Sequence, residues 1–357
     1  MNPTRRIRVL ISVCDRQILE DVIADKSILV TGGTGSIGRR IVSKLLQHAV
    51  RVVRVLSNDE NSLFRMQMEL NDDRLRYFLG DVRDERRMRL AAREADVILH
   101  AAALKHVPIG EYNPFEVVQT NVIGTQNMIS AALEENVERF LLISSDKAVN
   151  PTSTMGASKL LCEKLVVDAS AYAGGRKTRF ACIRFGNVLD SRGNVAEIFE
   201  SQIERGGPVT VTDPHMTRFA FLSADAVSSV MKALAGMMGG EIFVPEMQAL
   251  NVSDLAEVMI EKFSLTHGLE PSKIAIQVTK SRPGEKIHEE LMTTEEGERA
   301  VECDGMYVIL PATRDVRGYE SNPRPKTREY SSANQPPMTR QQIARLLGGL
   351  AAMHPSF

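Results

Sequence analysis

The sequence predicts an α/β protein with a doubly wound parallel sheet and a smaller mixed α/β lobe. Between residues 25 and 186, short apolar runs of strand type alternate with amphipathic helical patterns in five or six βα units. This alternation is typical of a parallel sheet covered by helices. The first unit passes from strand to helix through three regularly spaced glycines. Beyond residue 186 the elements become shorter and less regular, so we expect the smaller lobe to fold over the carboxyl edge of the sheet.

The bulk composition excludes several classes of protein. The 44 Lys and Arg residues are balanced by 45 Asp and Glu residues, so the chain lacks the basic excess expected of a nucleic-acid-binding protein. Its four cysteines have neither CxxC nor Cys/His ligand spacing and predict no disulfide and no metal site. No apolar run reaches the roughly 20 residues that a membrane-spanning helix needs. We expect a soluble, cytoplasmic protein with no nucleic-acid partner.

Residues 1–24 precede the first βα unit as an N-terminal extension. Residues 5–13 have a strand pattern, and residues 17–24 have a helical one. Charged residues interrupt the apolar part of this extension, which is unlike a secretory signal. We assign it no function.

The first βα unit predicts a dinucleotide-binding site. Its strand begins at Ser27 and leads into a GxxGxxG turn at the start of an amphipathic helix. The missing glycine side chains let the backbone approach a pyrophosphate at the helix N-terminus. An ordinary tight turn is the alternative interpretation. The predicted cofactor contacts in this turn are Gly32, Gly35, Ser36, Ile37 and Gly38.

The end of the second strand, residues 51–56, bears on the choice between NAD and NADP. An acidic residue at this place usually holds the 2′-hydroxyl of the NAD ribose, but Ser57 comes first here. A small residue leaves room for a 2′-phosphate, and Arg39 or Arg40 can neutralise it. We therefore expect NADP to be preferred, with NAD kept open by Asp59.

The third and fourth strands add further candidate residues for the same cofactor. Residues 77–79 lead to Asp81 and Val82, where Asp81 can accept a hydrogen bond from the adenine amino group. Residues 97–100 lead to small residues that allow the backbone to lie against the cofactor, and then to Lys105, a candidate for either cofactor or substrate. His106 is interpreted as an ordinary loop histidine. The small residues are Ala101, Ala102 and Ala103.

A long helix is predicted for residues 114–135. Asn121 lies in its interior, where asparagine slightly disfavours a helix. We therefore expect its side chain to hydrogen-bond toward the neighbouring active-site strand.

The fifth strand, residues 140–143, ends in the residues that suggest chemistry. Ser144, Ser145, Asp146 and Lys147 follow it directly, and a helix is predicted for residues 152–173. Ligands bind at the carboxyl ends of strands in open α/β sheets, so an acid and a base at this place predict proton transfer. An exposed ion pair at the start of a loop is the alternative.

The second half of the chain divides into a lobe and a tail. Residues 187–311 are predicted to form a substrate lobe, with some chain returning to the large sheet. Residues 312–337 are rich in Pro, Arg, Ser and Asn and predict a surface tail, which continues to residue 357 and includes an amphipathic helix over residues 339–347.

Eight short stretches together resemble a known family. In chain order they are TGGTGSIG, GDVRD, HAAALKHVP, SSDKAVNP, a lysine at Lys159, RFGNV, MTRF and RPGEKIHEEL. Over about residues 25–312 the chain resembles the extended short-chain dehydrogenase/reductases. It is most similar to the inverting UDP-N-acetylglucosamine 4,6-dehydratases of polysaccharide biosynthesis, because SSDKAVNP and RPGEKxHE are not general dinucleotide-binding patterns.

The resemblance implies a role for each residue that matches the family pattern. Ser145, Asp146 and Lys147 are implied at the reacting sugar, and Lys159 at the cofactor. The nucleotide and diphosphate of a UDP-sugar are implied at Asn187, Arg218, Arg282 and Glu285. We also expect a homo-oligomer, either a dimer or a hexamer.

One departure from the wider superfamily concerns catalysis. Short-chain dehydrogenases usually carry a catalytic tyrosine four residues before the lysine, and Met155 stands there in this chain. Some of these dehydratases share the replacement, so the resemblance is kept, but the usual base for the C4 hydroxyl is missing.

The implied reaction oxidises the sugar at C4, eliminates water across C5 and C6 and returns the hydride to C6. Lys147 is expected to take the C5 proton, if a dry site and neighbouring cations keep its amine partly neutral, and Asp146 to protonate the leaving hydroxyl. The alternatives are a 4-epimerase or reductase of the same superfamily, and a non-catalytic NAD(P)-binding regulator.

Overall fold

A nine-stranded sheet forms the centre of the protein and confirms the predicted α/β fold. The computed structural model describes residues 16–171, 174, 177–313 and 316–353. Seven strands run parallel in the order β3-β2-β1-β4-β5-β6-β10, and β15 and β14 extend the β10 edge as antiparallel strands. These are β1 (Ser27–Thr31), β2 (Val52–Ser57), β3 (Leu75–Leu79), β4 (Val97–His100), β5 (Arg139–Ile143), β6 (Arg179–Ile183), β10 (Ile242–Pro245), β14 (Ala300–Cys303) and β15 (Met306–Ile309).

The strand order determines where a ligand is expected to bind. The order reverses between β1 and β4, and the crevice at such a reversal is the usual ligand site of doubly wound sheets. Strand β1 is buried along its whole length, as expected for a central parallel strand. The carboxyl ends of β1, β4 and β5 therefore open together at one edge.

Two groups of helices pack beside the large sheet. One group contains α2 and α10, which contact each other, and α1, which packs on α10. The other contains α4, α7 and α8. The helices are α1 (Arg16–Ile23), α2 (Ser36–Leu45), α3 (Glu60–Leu70), α4 (Glu85–Ala92), α5 (Val107–Tyr112), α6 (Pro114–Val117), α7 (Gly124–Glu134), α8 (Thr154–Ala169), α9 (Val195–Glu204), α10 (Ser223–Gly236), α11 (Val252–Thr266), α12 (Thr294–Glu298) and α13 (Arg340–Met353).

A second, smaller core lies in the later part of the chain. Helices α9, α11 and α13 supply buried residues such as Phe199, Leu255 and Ile343. Two small sheets, β11-β9-β7 and β12-β8, contribute residues to it, and a third, β13-β16, packs into the large core instead. Their strands are β7 (Asn187–Val188), β8 (Val209–Val211), β9 (Thr217–Phe221), β11 (Gln248–Asn251), β12 (Ile276–Val278), β13 (Glu290–Met292) and β16 (Tyr330–Ser331).

The structure corrects the expectation of a surface tail after residue 311. Tyr319 and Tyr330 are buried, and β16 pairs with β13. The predicted terminal helix is present as α13, and its Ile343 and Leu347 enter the second core. The polar composition of residues 312–337 concealed a few apolar residues that fix this segment to the core of the large sheet.

The predictions for the N-terminal extension and for the long helix of residues 114–135 are each confirmed in part. The helical pattern of residues 17–24 is confirmed by α1, whereas the strand pattern of residues 5–13 lies outside the described residues. The long helix predicted for residues 114–135 is continuous from α6 to α7, but residues Val118–Ile123 form a π-helical turn within it. Asn121 lies in that turn.

Candidate active site

The glycine turn after β1 has the shape that a diphosphate requires. Gly32 has a φ of +62°, and a Cβ there would lie 2.8 Å from the Cα of Ala102. Gly35 is the N-cap of α2, so it offers no side chain that competes for the first amides of the helix. The turn therefore lies directly against the end of β4, with the helix N-terminus open to an anion.

At the end of β2, each candidate residue has a partner within the protein. The hydroxyls of Ser57 and Thr34 lie 2.7 Å apart. Asp59 caps α3, because its carboxylate accepts a hydrogen bond from the Ser62 amide at 3.0 Å. Arg40 pairs with Asp190 at 2.9 Å, and Arg39 pairs with Glu69. Asp59 is thus used for helix capping, while Ser57 remains small and buried.

Asn121 fixes the segment that follows β4. Its Oδ1 accepts from the Leu104 amide at 2.8 Å, and its Nδ2 donates to the Leu104 carbonyl at 3.1 Å and to Ser158 Oγ at 2.9 Å. The predicted hydrogen-bonding role is confirmed, although the partner is the loop beyond the strand. A π-helical turn at such a residue is common at functional sites.

Two cations meet at the start of α2. Lys105 Nζ donates to the Arg192 carbonyl at 2.6 Å, and Arg192 donates to Ser36 Oγ at 3.0 Å and to the Thr34 carbonyl at 2.9 Å. Burial and the charge of Arg192 lower the pKa of Lys105. No sequence pattern predicts that Arg192 reaches this loop, because the contact depends on how the second lobe folds back.

The last cofactor candidates lie at the end of β3. Asp81 Oδ2 accepts from Arg83 Nη2 at 2.7 Å, and the adjacent Val82 is buried. The Arg83 side chain lowers the pKa of Asp81, so this carboxylate is ionised and can still accept a further hydrogen bond.

The Asp146–Lys147 pair lies at the end of β5 in a short 3₁₀ turn. Ser145 Oγ donates to Asp146 Oδ1 at 2.6 Å, and Lys147 Nζ donates to the same oxygen at 3.0 Å. Asp146 is fully buried, and its Oδ2 has no hydrogen-bond partner among the described residues. The Lys147 side chain retains 29 % exposure. An exposed ion pair, the alternative interpretation, is therefore wrong.

Glu289 joins this pair and was not among the predicted site residues. Its Oε1 lies 3.6 Å from Lys147 Nζ and 3.8 Å from Arg218 Nε, and its Oε2 has no partner among the described residues. The sequence has glutamate at 289 and at 290. A pattern cannot tell which of the two points inward.

The charge of Lys147 differs from the expectation of a partly neutral amine. Burial lowers the pKa of Lys147, but Asp146 and Glu289 raise it by more, and the resulting pKa is above the ordinary value. The amine is therefore an ammonium in the ligand-free site. Burial also raises the pKa of Glu289.

Lys159 lies behind this pair on α8. Its Nζ donates to the Ile143 carbonyl at 2.9 Å, and burial lowers its pKa. Met155, one helical turn earlier, is buried at 3 % exposure. Its thioether packs in the site and cannot exchange a proton.

Four of the five predicted substrate residues, Asn187, Arg218, Arg282 and Glu285, line one cleft of about 230 Å³, here called the main cleft. Arg282 is exposed at its rim. The Arg218 guanidinium already makes hydrogen bonds within the protein, because it donates to the carbonyls of Lys286 and Ile287 at 2.9 and 3.0 Å. Lys105 is not among the lining residues. The polar lining consists of Lys147, Asn187, Thr210, Thr212, Arg218, Arg282, Glu285 and Glu289.

The loop that carries Arg282 and Glu285 is docked on the turn after Asp146. Gly284 has a φ of +78°, and a Cβ there would lie 2.9 Å from the Cβ of Ser153. Its carbonyl accepts from Thr152 Oγ1 at 3.0 Å, and Lys286 Nζ donates to the Val149 carbonyl at 2.5 Å. The loop of Arg282 and Glu285 is therefore held against the segment that follows Asp146 and Lys147.

Comparison with known proteins places the chain in a family. The model of the family described as "Polysaccharide biosynthesis protein" matches residues 28–311. The chain belongs to this family. Its relatives include the "Uncharacterized membrane protein MJ1061" of Methanocaldococcus jannaschii, 47 % identical over 93 % of this chain and 98 % of the relative.

Two further relatives and one solved structure carry more information. A UDP-N-acetylglucosamine 4,6-dehydratase (inverting) of Campylobacter jejuni is 40 % identical over 82 % of this chain and 84 % of its own length. A UDP-glucose 4-epimerase of Rickettsia prowazekii is 36 % identical over 83 % and 86 %. The X-ray structure of Pen from Bacillus thuringiensis superposes with a TM-score of 0.86 at 39 % identity, covering 92 % of this chain and 98 % of that one. The chain is an extended short-chain dehydrogenase/reductase that resembles the dehydratases.

A second buried charge cluster lies beneath the site. Arg184, at 1 % exposure, donates to both carboxylate oxygens of Glu163 at 3.0 and 2.6 Å and to both of Glu296 at 3.0 and 3.1 Å. It also donates to the Leu291 carbonyl at 2.8 Å, and Ser144 Oγ donates to Glu163 at 2.5 Å. Every member of this cluster is paired.

The described residues lack two features. No group of three or more His, Cys, Asp or Glu side chains there is arranged to hold a metal ion. None of the described helices combines the length and the apolar character needed to cross a membrane.

Proposed function

We propose that the protein is a nucleotide-sugar 4,6-dehydratase, acting on UDP-N-acetylglucosamine with inversion at C5. The observation that carries the proposal is the Asp146–Lys147 pair, which is buried at the carboxyl edge of the sheet and reached from the main cleft. A 4-epimerase or a reductase needs no such pair. The relative from Campylobacter jejuni supports the same conclusion.

The glycine turn fits a nicotinamide dinucleotide. A nicotinamide bound there would supply the hydride acceptor for sugar C4 and the hydride donor for C6. Gly32, Gly35 and the start of α2 would hold the diphosphate, and Lys105 and Arg192 add positive charge there. NADP is preferred over NAD in this proposal, because Asp59 is used to cap α3 and the small Ser57 leaves room for a 2′-phosphate near Arg39 and Arg40.

Titration of both cofactors into cofactor-stripped protein tests this preference. Tighter binding of NADP is expected. Ser57→Asp should reverse the preference by placing a carboxylate against the 2′-phosphate. Tighter binding of NAD by the unmodified protein would contradict the proposal and would assign the ribose to Asp59.

The Asp146–Lys147 pair can supply both the base and the acid. Transfer of one proton from Nζ to Oδ1 along their 3.0 Å hydrogen bond gives a neutral amine beside a carboxylic acid, without a change in total charge. A dry site favours this neutral form. With C4 oxidised to a ketone, the amine takes the acidified C5 proton, the C5–C6 double bond forms, and the C6–O bond breaks. The departing oxygen takes its proton from Asp146, and water is released.

The main cleft provides the contacts for the rest of the substrate. Arg282 stands exposed at the rim, and arginine binds the paired oxygens of a diphosphate well. Asn187 and Arg218 lie deeper, toward Lys147. The sugar would reach the pair from this side. Addition of hydride to C6 and reprotonation of C5 from the opposite face would then give the inverted 4-keto-6-deoxy sugar.

Incubation with UDP-N-acetylglucosamine, followed by mass spectrometry and proton NMR, tests the proposal. The expected product has lost one water and has inverted stereochemistry at C5. A product of unchanged mass would indicate an epimerase. A protein that binds cofactor and sugar but yields no product would be the non-catalytic regulator.

We also propose self-association, as expected from the sequence. Ile109, Tyr112, Phe115 and Leu161 expose 62, 88, 66 and 52 % of their surface, and α5 and α6, which carry the first three, both pack on α8, which carries Leu161. Exposed apolar patches of this kind often mark protein interfaces. Light scattering coupled to size-exclusion chromatography should give an oligomer, and a monomer would contradict it.

A further inference from the structure

We infer that Glu289 is a positioning residue of this site, whose charge determines the pH at which Lys147 becomes able to accept a proton. This inference rests on the proposed role of Lys147 as the C5 base. It adds to that proposal a residue from a distant part of the chain.

The geometry of Glu289 carries the inference. Its side chain is 4 % exposed, lies 3.6 Å from Lys147 Nζ and lines the main cleft with it. Its backbone is fixed, because its amide donates to Ser332 Oγ at 2.9 Å and its carbonyl accepts from the Ser332 amide at 2.8 Å. A carboxylate held so close to an amine, with one buried oxygen lacking a partner in the described residues, interacts strongly with that amine's charge.

The other charges around the amine are few. Asp146 faces it from the same turn, and Arg218 faces it from β9. Glu289 in turn faces Lys147, Asp146, Arg218 and Lys286. Two carboxylates therefore oppose one nearby arginine at Lys147, and the balance favours the ammonium. This agrees with the raised pKa of Lys147.

The sign of the effect follows from this balance. A negative neighbour stabilises the protonated form of both members of the Asp146–Lys147 pair. Removal of the Glu289 charge should therefore let the doubly protonated pair lose one proton, and reach the singly protonated form that the proposed reaction uses, at lower pH. A residue with only a structural role would lower the rate and leave the pH dependence unchanged. The pH profile therefore separates the two roles.

The first experiment measures solvent deuterium entry at C5 as a function of pH. In Glu289→Gln the acid limb of the profile should move to lower pH by about one unit or more, the size expected for one charge within a few ångströms. Glu290→Gln is the matched control, because the Glu290 carboxylate bonds Asn150 at 2.5 Å outside the main cleft. Its profile should match that of the unmodified protein. An unmoved acid limb in Glu289→Gln would overturn the inference.

The second experiment needs no turnover. Trace acetylation of Lys147 with acetic anhydride, followed by peptide mass spectrometry at each pH, reports the ionisation of this amine in the substrate-free protein. The midpoint should fall in Glu289→Gln and remain unchanged in Glu290→Gln. A fallen midpoint in a protein that never exchanges C5 would support the charge effect and refute the proposed function. An unchanged midpoint would overturn the inference.

A second variant, Glu289→Asp, keeps the inference testable even if Glu289→Gln does not fold. It keeps the charge at a greater distance, so its midpoint should lie between those of Glu289→Gln and the unmodified protein. A midpoint for Glu289→Asp below that of a folded Glu289→Gln would contradict the inference. If Glu289→Gln does not fold, a midpoint for Glu289→Asp equal to or above that of the unmodified protein would contradict it.

Discussion

Two buried charge clusters lie a few residues apart along the same strand ends, and they differ in how completely they are paired. The closed cluster is Ser144, Glu163, Arg184 and Glu296, and the open cluster is Asp146, Lys147, Arg218, Glu285 and Glu289. In the closed cluster, the Arg184 guanidinium donates to carboxylate and carbonyl oxygens that all lie within 3.1 Å. In the open cluster, two carboxylate oxygens have no partner in the described residues, and the longer ion pairs span 3.6 to 3.9 Å.

The difference indicates what each cluster is for. Burying a charge is costly unless hydrogen bonds replace the lost water. The closed cluster has those bonds and joins β6, α8 and α12. The open cluster leaves acceptors unsatisfied beside a cleft, which is expected where a substrate supplies the missing partners. Both clusters contain buried charges. The completeness of their hydrogen bonding is what separates the structural cluster from the proposed catalytic one.

The largest expected effect lies in the open cluster. Lys147→Ala should bind substrate but lose water elimination and C5 deuterium entry by about 10²- to 10⁴-fold, the usual range for a lost acid–base group. Proton NMR in deuterated solvent measures the exchange, and normal incorporation would remove Lys147 from the role of base.

Lys159→Met should block an earlier step. Lys159 is buried one turn from Met155, and we propose that a water held by Ser145 and Lys159 accepts the C4 hydroxyl proton, with Lys147 as the competing acceptor. Reduction of bound cofactor in a single turnover should fall by about 10²-fold or more. Reduction at the unmodified rate would exclude the relay.

For the closed cluster, we expect a substitution to lower the free energy of unfolding. Arg184→Met should leave Glu163 and Glu296 buried without their cation and destabilise the fold by about 3–5 kcal/mol. Chemical denaturation measures this loss. A variant of unchanged stability would show that the closed cluster is not structural, and the comparison would fail.

A smaller effect concerns pH. Burial alone would raise the pKa of Glu296, but the charge and hydrogen bonds of Arg184 hold it below the ordinary value of 4.5. A carboxyl with a depressed folded pKa contributes stability above its unfolded pKa and loses it as pH falls through the folded pKa. Glu296→Gln should therefore lose about 1–3 kcal/mol at neutral pH and less near pH 3. Equal losses at both pH values would contradict the assignment.

Some of this arrangement could be predicted from the sequence. Parallel strands end at one edge, so the glycines after β1 and the acid–base pair after β5 had to meet there. The local spacing also predicted that Met155 and Lys159 share a helix face.

The unpredicted features depend on contacts between distant parts of the chain. Hydrogen bonds to Ser332 fix the backbone of Glu289 so that its side chain points inward, and Glu289 then adds to the effect of Asp146 in raising the pKa of Lys147. Arg184 and Glu163 are ordinary in sequence and meet only when α8 packs beside β6, and Glu296 joins them only when α12 docks. Arg192 reaches the glycine turn only because the second lobe folds back.

The smallest expected effect belongs to Met155, which is in neither cluster. It is buried and packs near Gly110, whose added Cβ would lie 3.8 Å from the Met155 Cβ, so a larger ring should carry a packing cost of about 1–3 kcal/mol. Met155→Tyr places an acid–base hydroxyl one helical turn from Lys159, at the position where most short-chain dehydrogenases carry it. We expect cofactor reduction within a few-fold of the unmodified rate, measured in a single turnover, and Met155→Phe is the control for ring size without the hydroxyl. If both variants lose the reaction equally, Met155 serves to fill space; if Tyr alone retains it, the hydroxyl can replace the proposed water.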